Sequence, residues 1–358
     1  MRPVKSNFPV KKGIQMKPNH NLFTPFTING KLNLSNRVVL APLYLTWDGR
    51  SDEFRAFYVR RAQGGVGLVI APQSTSGGLE DWAEPDFGAA FRPLIEGCHA
   101  AGAKIALQVF SGSGVVDELT AEHLDAIPEQ FAHAGVGVRE AGFDALDIHG
   151  AHHALFMRLL SPLQNHRQDG FGGSPENCWQ IQIKTVRAIR AAVGDDFPIL
   201  FRFSATDFVP GGVDLSLTVP YAQALEAAGV DCLDVSAGTA DSPADSPHPG
   251  EDEPLGCFAD LAAAIRAAVS VPVIAVGKIA TREVAESILQ EGKADLVALG
   301  RPLIADPDWP RKVAEGRDEE IVSCLWDNEG CLRDSIHQGR PVRCVVNFNV
   351  GFEHEAAT

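Results

Sequence analysis

The sequence predicts an α/β protein, a (β/α)8 TIM barrel with a short cysteine-containing C-terminal extension. Three observations predict it. Eight short β-rich apolar runs alternate with amphipathic helical stretches. No Gly-x-Gly-x-x-Gly turn follows the first run, as an open dinucleotide-binding sheet would require. Titratable residues collect just after the runs, at the carboxyl ends of the strands, which is the catalytic face of such barrels.

In chain order the predicted strands are 38–41, 68–71, 105–109, 145–148, 199–203, 232–235, 273–276 and 296–299. Helical spacing of apolar residues separates them, most plainly over 181–192, 220–228 and 282–290. Residues 1–21 carry basic residues with no apolar run behind them, so they read as a flexible arm and not as a signal peptide. The barrel is assigned to 22–316 and the extension to 317–358. A chain of 358 residues is long enough for one large barrel and a small addition.

Composition narrows the function. Apolar residues make up 45% of the chain, yet no uninterrupted apolar stretch approaches ~18 residues, so a full core and no membrane span are expected. A net charge of −15 lacks the basic footprint that nucleic acid or an anionic membrane demands. The expected compartment is the cytoplasm. Of the seven cysteines, Cys98, Cys178, Cys232 and Cys257 lie in apolar contexts and read as small buried hydrophobes. Cys324, Cys331 and Cys344 cluster in the last tenth of the chain. A reducing compartment favours metal or redox use of that cluster over disulfides.

The stretch 144–177 carries the strongest site signal. The run Ala145-Leu146-Asp147-Ile148 ends in His149-Gly150-Ala151-His152-His153, and Ser174-Pro175 then reads as an N-cap with proline at the first helical position. A lone histidine there would suit a hydrogen bond within a loop. Two imidazoles spaced i, i+3 at a strand end point to function. Strands seven and eight end in Gly277-Lys278 and Gly300-Arg301. Loops at these places commonly bind phosphate through backbone N–H groups, whether of a substrate or of a cofactor.

Strand one runs into Ala41-Pro42-Leu43-Tyr44, strand three ends near Gln108, and strand five holds Arg202. A Gln amide matches the edge of a planar heterocycle, and an Arg beside it stabilises negative charge on the ring. The plainer alternative for Arg202 is an ion pair inside the barrel. Residues 237–256, acidic and rich in Pro and Ser, read as a substrate-facing lid or a surface loop.

Across residues 21–315 the chain resembles the old yellow enzyme family of FMN-dependent oxidoreductases. The resemblance rests on LFTPFTINGKLNLSNRVVLAP, KIALQV, AGFDALDIHGAHHALFMRLLSPLQNHRQDGFGGSPEN, FRFSATD and ADLVALGRPLIADP. It implies FMN at the barrel mouth beside Ala41, Pro42 and Leu43. Gln108 and Arg202 would read the pyrimidine edge, Gln73 and Tyr44 would lie near O4, and Gly277, Lys278, Gly300 and Arg301 would hold the phosphate. It further implies that His149 and His152 bind the carbonyl or other electron-withdrawing group of a substrate stacked on the flavin, with NAD(P)H as an electron donor.

The tail is similar to the subgroup containing 2,4-dienoyl-CoA reductase and trimethylamine dehydrogenase. There a Cys-x2-Cys-x3-Cys run and a later fourth cysteine bind a [4Fe–4S] cluster. Here Cys324, Cys331 and Cys344 match, and Asp327 stands at the second ligand position. Two further departures concern the mouth. Ala154 stands where the family usually has its proton-donating Tyr, and Tyr44 stands where many members have a Cys or Thr near flavin N5.

The leading expectation is therefore an FMN enzyme that moves a hydride between flavin and a small organic substrate. The chemistry is ene reduction of an activated C=C bond or the reverse type of dehydrogenation. Electrons come from NAD(P)H or pass through the iron–sulfur cluster to an electron-transfer protein or a flavin/nicotinamide subunit. A homo-oligomer is among the assemblies compatible with the sequence. The second reading, prompted by the missing Tyr and Cys, is a redox-inactive barrel that binds a phosphorylated ligand or serves as a scaffold subunit. A metal-hydrolase barrel is a weaker third, because His149 and His152 lack a suitably spaced Asp/Glu pair.

Overall fold

The computed structural model describes residues 22–112, 114–239, 242–243 and 247–355. The expected arm over 1–21 lies outside the described residues. Strands β3 (Val38–Leu40), β4 (Leu68–Pro72), β5 (Lys104–Val109), β6 (Ala145–Gly150), β7 (Ile199–Ser204), β8 (Cys232–Ser236), β9 (Val273–Ala275) and β10 (Leu296–Leu299) close into one parallel barrel. Closure comes from β10, which pairs with both β3 and β9. Each predicted strand coincides with one of these eight.

Helices α1 (Asp52–Gln63), α2 (Arg92–Ala100), α3 (Ala121–Ala141), α4 (Leu155–Leu160) and α5 (Pro175–Val193) follow the first four barrel strands, the last two both after β6. The ring is completed by α6 (Leu215–Ala228), α7 (Ala259–Ala268), α8 (Arg282–Gln290), α9 (Arg301–Ala305) and α10 (Trp309–Ala314). Helix starts are set by side chains that accept orphan backbone N–H groups. Ser51, Thr120, Ser174, Asp214 and Thr281 all do this, and Pro175 occupies the first turn of α5 as its sequence predicts.

Alternation along the strands divides the core in two. Val39, Ile70, Ala106, Leu200, Ile274 and Ala298 fill the barrel interior, while neighbours such as Val38, Val69, Ile105 and Phe201 pack outward under the helices. An antiparallel hairpin, β1 (Phe26–Ile28) and β2 (Leu32–Leu34), sends Ile28, Leu32 and Leu34 into the interior cluster. Its turn at Asn29-Gly30 has positive φ at both residues, the Asn-Gly hairpin signal.

The tail after α10 does not trail away. A π-helical segment spans Glu329–His337, and Val342 and Val350 are buried. Ser335 Oγ donates to the Tyr44 carbonyl at 3.1 Å and Asn347 Nδ2 to the Ile304 carbonyl at 2.8 Å. Among the described residues no helix is long and apolar enough to cross a membrane.

Candidate active site at the barrel mouth

The carboxyl ends of β5 to β8 bring four of the expected side chains together. Register places His149 of β6 opposite Arg202 of β7, Arg202 opposite Asp234 of β8, and Gln108 of β5 opposite Asp147. Arg202 Nη1 donates to Asp234 Oδ2 at 2.9 Å, and Gln108 Nε2 donates to Asp147 Oδ2 at 2.6 Å. The interior ion pair is thus real, but it does not exhaust the guanidinium. Arg202 Nε, Asp234 Oδ1, Asp147 Oδ1 and His149 Nδ1 are all buried and find no hydrogen-bond partner among the described residues. Native interiors rarely leave such atoms unpaired, and a cluster of them marks a place for a polar ligand.

His152 is held by the ends of β7 and β8. Its backbone is left-handed, with φ 57°, and its N–H donates to Ser204 Oγ at 3.0 Å. Its Nε2 lies 2.8 Å from Ser236 Oγ, and Ser204 Oγ in turn donates to the Gly238 carbonyl at 2.6 Å. The His149 and His152 rings are 5.4 Å apart, and His248, from the loop after β8, stands 6.4 Å from His152. Burial first, then the Arg202 charge, depress both strand-end histidines, His149 to about 3 and His152 well below the ordinary value. His248 is likewise lowered to about 3, by burial and then by Arg301 and Arg202. All three imidazoles are neutral at physiological pH, able to donate one hydrogen bond each without carrying charge.

The other mouth residues divide by what already engages them. Ala41 is buried and its N–H donates to the Leu299 carbonyl at 3.0 Å. The Leu43 carbonyl accepts from Tyr58 Oη at 3.1 Å. A Cβ at Gly300 would stand 3.2 Å from Leu43, so glycine there lets the two strand exits approach closely. Pro42 and Leu43 are half-buried, and Tyr44 is 57% exposed. Gln73 is spoken for: its amide donates to Thr75 Oγ1 at 2.8 Å and to the Gly78 carbonyl, and it accepts from Trp82 Nε1 at 2.9 Å. That amide shapes the loop after β4.

Lys278 and Arg301 come together at Trp326 and the 249–253 loop, and both cations have protein partners. Lys278 Nζ donates to the carbonyls of Gly250 and Glu251 at 2.6 and 2.7 Å and to that of Glu253. Arg301 Nη2 donates to the Pro249 carbonyl at 2.9 Å, and Nη1 donates to Asn328 Oδ1. The Trp326 ring lies against both cations, at 5.2 Å from Lys278 and 4.7 Å from Arg301. Part of the 237–256 loop is therefore strapped over the mouth by Lys278 and Arg301. Sequence reasoning passed over Asp147, Asp234, Ser204, Ser236, His248, Trp326 and Asn328. A polar residue two positions before each strand-end group was the available signal for the first two.

In the tail, Cys324, Asp327, Cys331 and Cys344 border a single hollow together with Arg301 and Arg343. Burial pushes the Cys331 thiol up to about 12 and raises that of Cys324. All seven cysteines are free thiols. No group of three or more His, Cys, Asp or Glu among the described residues stands in a metal-holding arrangement.

A closed parallel barrel with buried polar atoms unpaired among the described residues and buried imidazoles at the carboxyl ends of its strands has the polar mouth of a barrel enzyme. The family model described as NADH:flavin oxidoreductase / NADH oxidase matches residues 112–320, and the chain belongs to that family. It is 38% identical to an NADH oxidase of Thermoanaerobacter brockii over 93% of this chain and 56% of that relative, so it spans little more than half of it. It is 32% identical to an NADPH dehydrogenase of Bacillus velezensis, over 84% of this chain and 96% of the relative. The fold superimposes on a 2-naphthoyl-CoA reductase solved with 2-naphthoyl-CoA, with a TM-score of 0.87 at 24% identity, covering 94% of this chain and 58% of that one. The family is named for flavin and NADH chemistry.

Proposed function

We propose that this chain is an FMN-dependent oxidoreductase that moves a hydride between flavin and a small organic substrate. The observation that carries the reading is the group of buried, unpartnered atoms at the mouth, Arg202 Nε and His149 Nδ1 above all. A heterocycle with donors and acceptors on its edge satisfies them, which is the fit the flavin ring requires. When bound, FMN supplies reversible acceptance of a hydride. Gln108 orients the pyrimidine edge, and Arg202 offsets the negative charge that gathers there. His149 and His152 donate hydrogen bonds to the substrate oxygen and stabilise the enolate-like charge that develops during transfer. Ala151, Ala154 and Leu155 are buried and inert, so no side chain at 154 delivers a proton. Gly277 and Gly300 would bring backbone N–H groups to the phosphate, beside the charges of Lys278 and Arg301.

We further propose that Cys324, Cys331 and Cys344, with Asp327 as fourth ligand, hold an iron–sulfur cluster. What supports the reading is chemistry and neighbourhood, since three cysteines and a carboxylate border one hollow and Arg301 opposes the burial that raises Cys324 and Cys331. The cluster would offer an exit for electrons towards a protein partner. Anaerobic purification followed by a visible spectrum and flavin, iron and sulfide quantitation tests both statements. A colourless protein that releases no flavin on denaturation overturns the first. Zinc, or the absence of acid-labile sulfide, overturns the second.

A further inference from the structure

The mouth holds two buried carboxyl groups for which the proposed hydride transfer has no task, Asp147 and Asp234. Neither has any exposed surface. They reach the flavin-facing pair from below. Asp147 accepts from the Gln108 amide at 2.6 Å, which fixes which way that amide points, and Asp234 accepts from Arg202 at 2.9 Å. Arg202 thus pairs with one carboxyl and acts on the other only as a nearby charge, and each carboxyl keeps a second oxygen unpartnered among the described residues.

We propose that Asp147 is a positioning residue that, at alkaline pH where it is ionised in the oxidised protein, takes up a proton when the flavin is reduced, and so tunes the reduction potential of the bound cofactor through Gln108 and Arg202. The proposal rests on the FMN reading above. Its logic is charge counting inside a dry barrel. With both carboxyls ionised the Asp147, Arg202 and Asp234 group carries one net negative charge. With Asp147 protonated it carries none. Hydride transfer breaks a C–H bond of the reduced nicotinamide, which leaves oxidised, and adds one negative charge to the flavin next to Arg202. Two like charges in one low-dielectric site are costly, and where Asp147 is ionised the remedy is one proton drawn from water onto it.

The surroundings favour that proton. Asp147 faces Asp234 and the Cys232 thiol from β8, Arg202 from β7, Gln108 from β5, and His149 two positions along its own strand. Burial first, then Asp234, push its carboxyl up to about 8, against the pull of Gln108 and Arg202. Asp234 is also raised by burial, a rise that the charge of Arg202 and its direct hydrogen bond oppose.

The test is a spectroelectrochemical titration of the FMN-loaded protein at a series of pH values from 6 to 9.5. One proton per electron pair gives a midpoint falling by about 30 mV per pH unit, because a tenfold change in a two-electron equilibrium is worth that much. The expected line has this slope at low pH and about twice the slope above a break near pH 8, where Asp147 is ionised before reduction and protonated after it. Ionisation of the reduced flavin itself would bend the line the other way. In Asp147→Asn the break disappears. In Asp234→Asn it moves to lower pH, because a repelling charge is gone and the Arg202 charge near Asp147 is no longer neutralised. A straight line in the flavin-loaded wild type, or a break that survives Asp147→Asn, overturns the proposal. If Asp147→Asn does not fold, the wild-type line and the Asp234→Asn shift still decide. A protein that takes up no FMN overturns the cofactor reading and this inference with it, whereas flavin retained with a straight line overturns the inference alone.

Discussion

The guanidinium of Arg61, on α1, lies 2.7 Å from Oε1 of Glu353, near the far end of the tail, and neither side chain sees much water. Arg61 also donates to the carbonyls of Phe57 and Leu303 and sits 3.4 Å from the Phe57 ring centroid. This buried pair fastens the tail to the barrel wall and so fixes where the three late cysteines stand. Glu353→Ala should leave the Arg61 charge uncompensated and lower stability by about 3–5 kcal/mol. Chemical denaturation checks it; a loss within ordinary surface scatter would show that the tail is held by its apolar contacts alone.

Arg202→Ala and Gln108→Ala should each weaken FMN binding or slow its reduction. Losing a charge-assisted contact costs roughly 1.5–3 kcal/mol, about ten- to a hundredfold in affinity. Fluorescence titration of the released flavin measures it. Full flavin occupancy and an unchanged reduction rate in both variants would remove the basis for placing the ring there.

The neutral state of the mouth histidines makes a pH prediction. His149 and His248 are lowered to about 3 in the folded chain against an ordinary value near 6.5. Below that ordinary value the unfolded chain binds protons that the folded one refuses. The imidazoles' contribution to stability should thus be level above about pH 6.5 and fall as pH drops towards 3, by up to roughly tenfold in the folding equilibrium per pH unit and imidazole. Asp147, raised to about 8, works the other way and loses its contribution as pH rises towards 8. Thermal unfolding across pH 4–8 reads this. Substituting His149 and His152 with Ala should flatten the decline and abolish binding of phenol-type charge-transfer ligands while FMN stays bound.

Tyr44 is exposed at the mouth and anchored through its carbonyl, not its hydroxyl. It suits an aromatic wall better than an acid. Tyr44→Phe should therefore keep turnover within about twofold, well under the 10²–10⁴ that general acid catalysis contributes. A loss in that larger range would make the hydroxyl a proton donor.

An Asp-ligated iron is held less covalently than a thiolate-ligated one. Asp327→Cys should slow loss of iron in air and suppress conversion to a three-iron form, followed by EPR. Cys331→Ser should lower bound iron and sulfide. If neither variant changes iron content or spectrum, the tail binds no cluster.

The eight strands, their helices and the cap at Ser174 were legible because apolar period and capping chemistry are local. The same holds for the strand-end histidines, which read as out of place after a buried run. The bottom hairpin was legible in principle, through Asn29-Gly30, but its role as a plug was not. Closure of the barrel was needed to show an open end for Ile28, Leu32 and Leu34 to fill.

The sequence by itself determined the architecture, the family and which residue types meet at the mouth. Tertiary structure alone decided what each polar group is bonded to. Asp147 meets Gln108 across 39 positions, Arg202 meets Asp234 across 32, and Lys278 spends its donors on loop carbonyls 25 to 28 positions away. Arg61 finds Glu353 across 292. Such pairings depend on strand register and loop path. These are set by the packing of the whole barrel, because a hydrogen bond requires its partners within about 3 Å and one step of register turns a side chain to the opposite face.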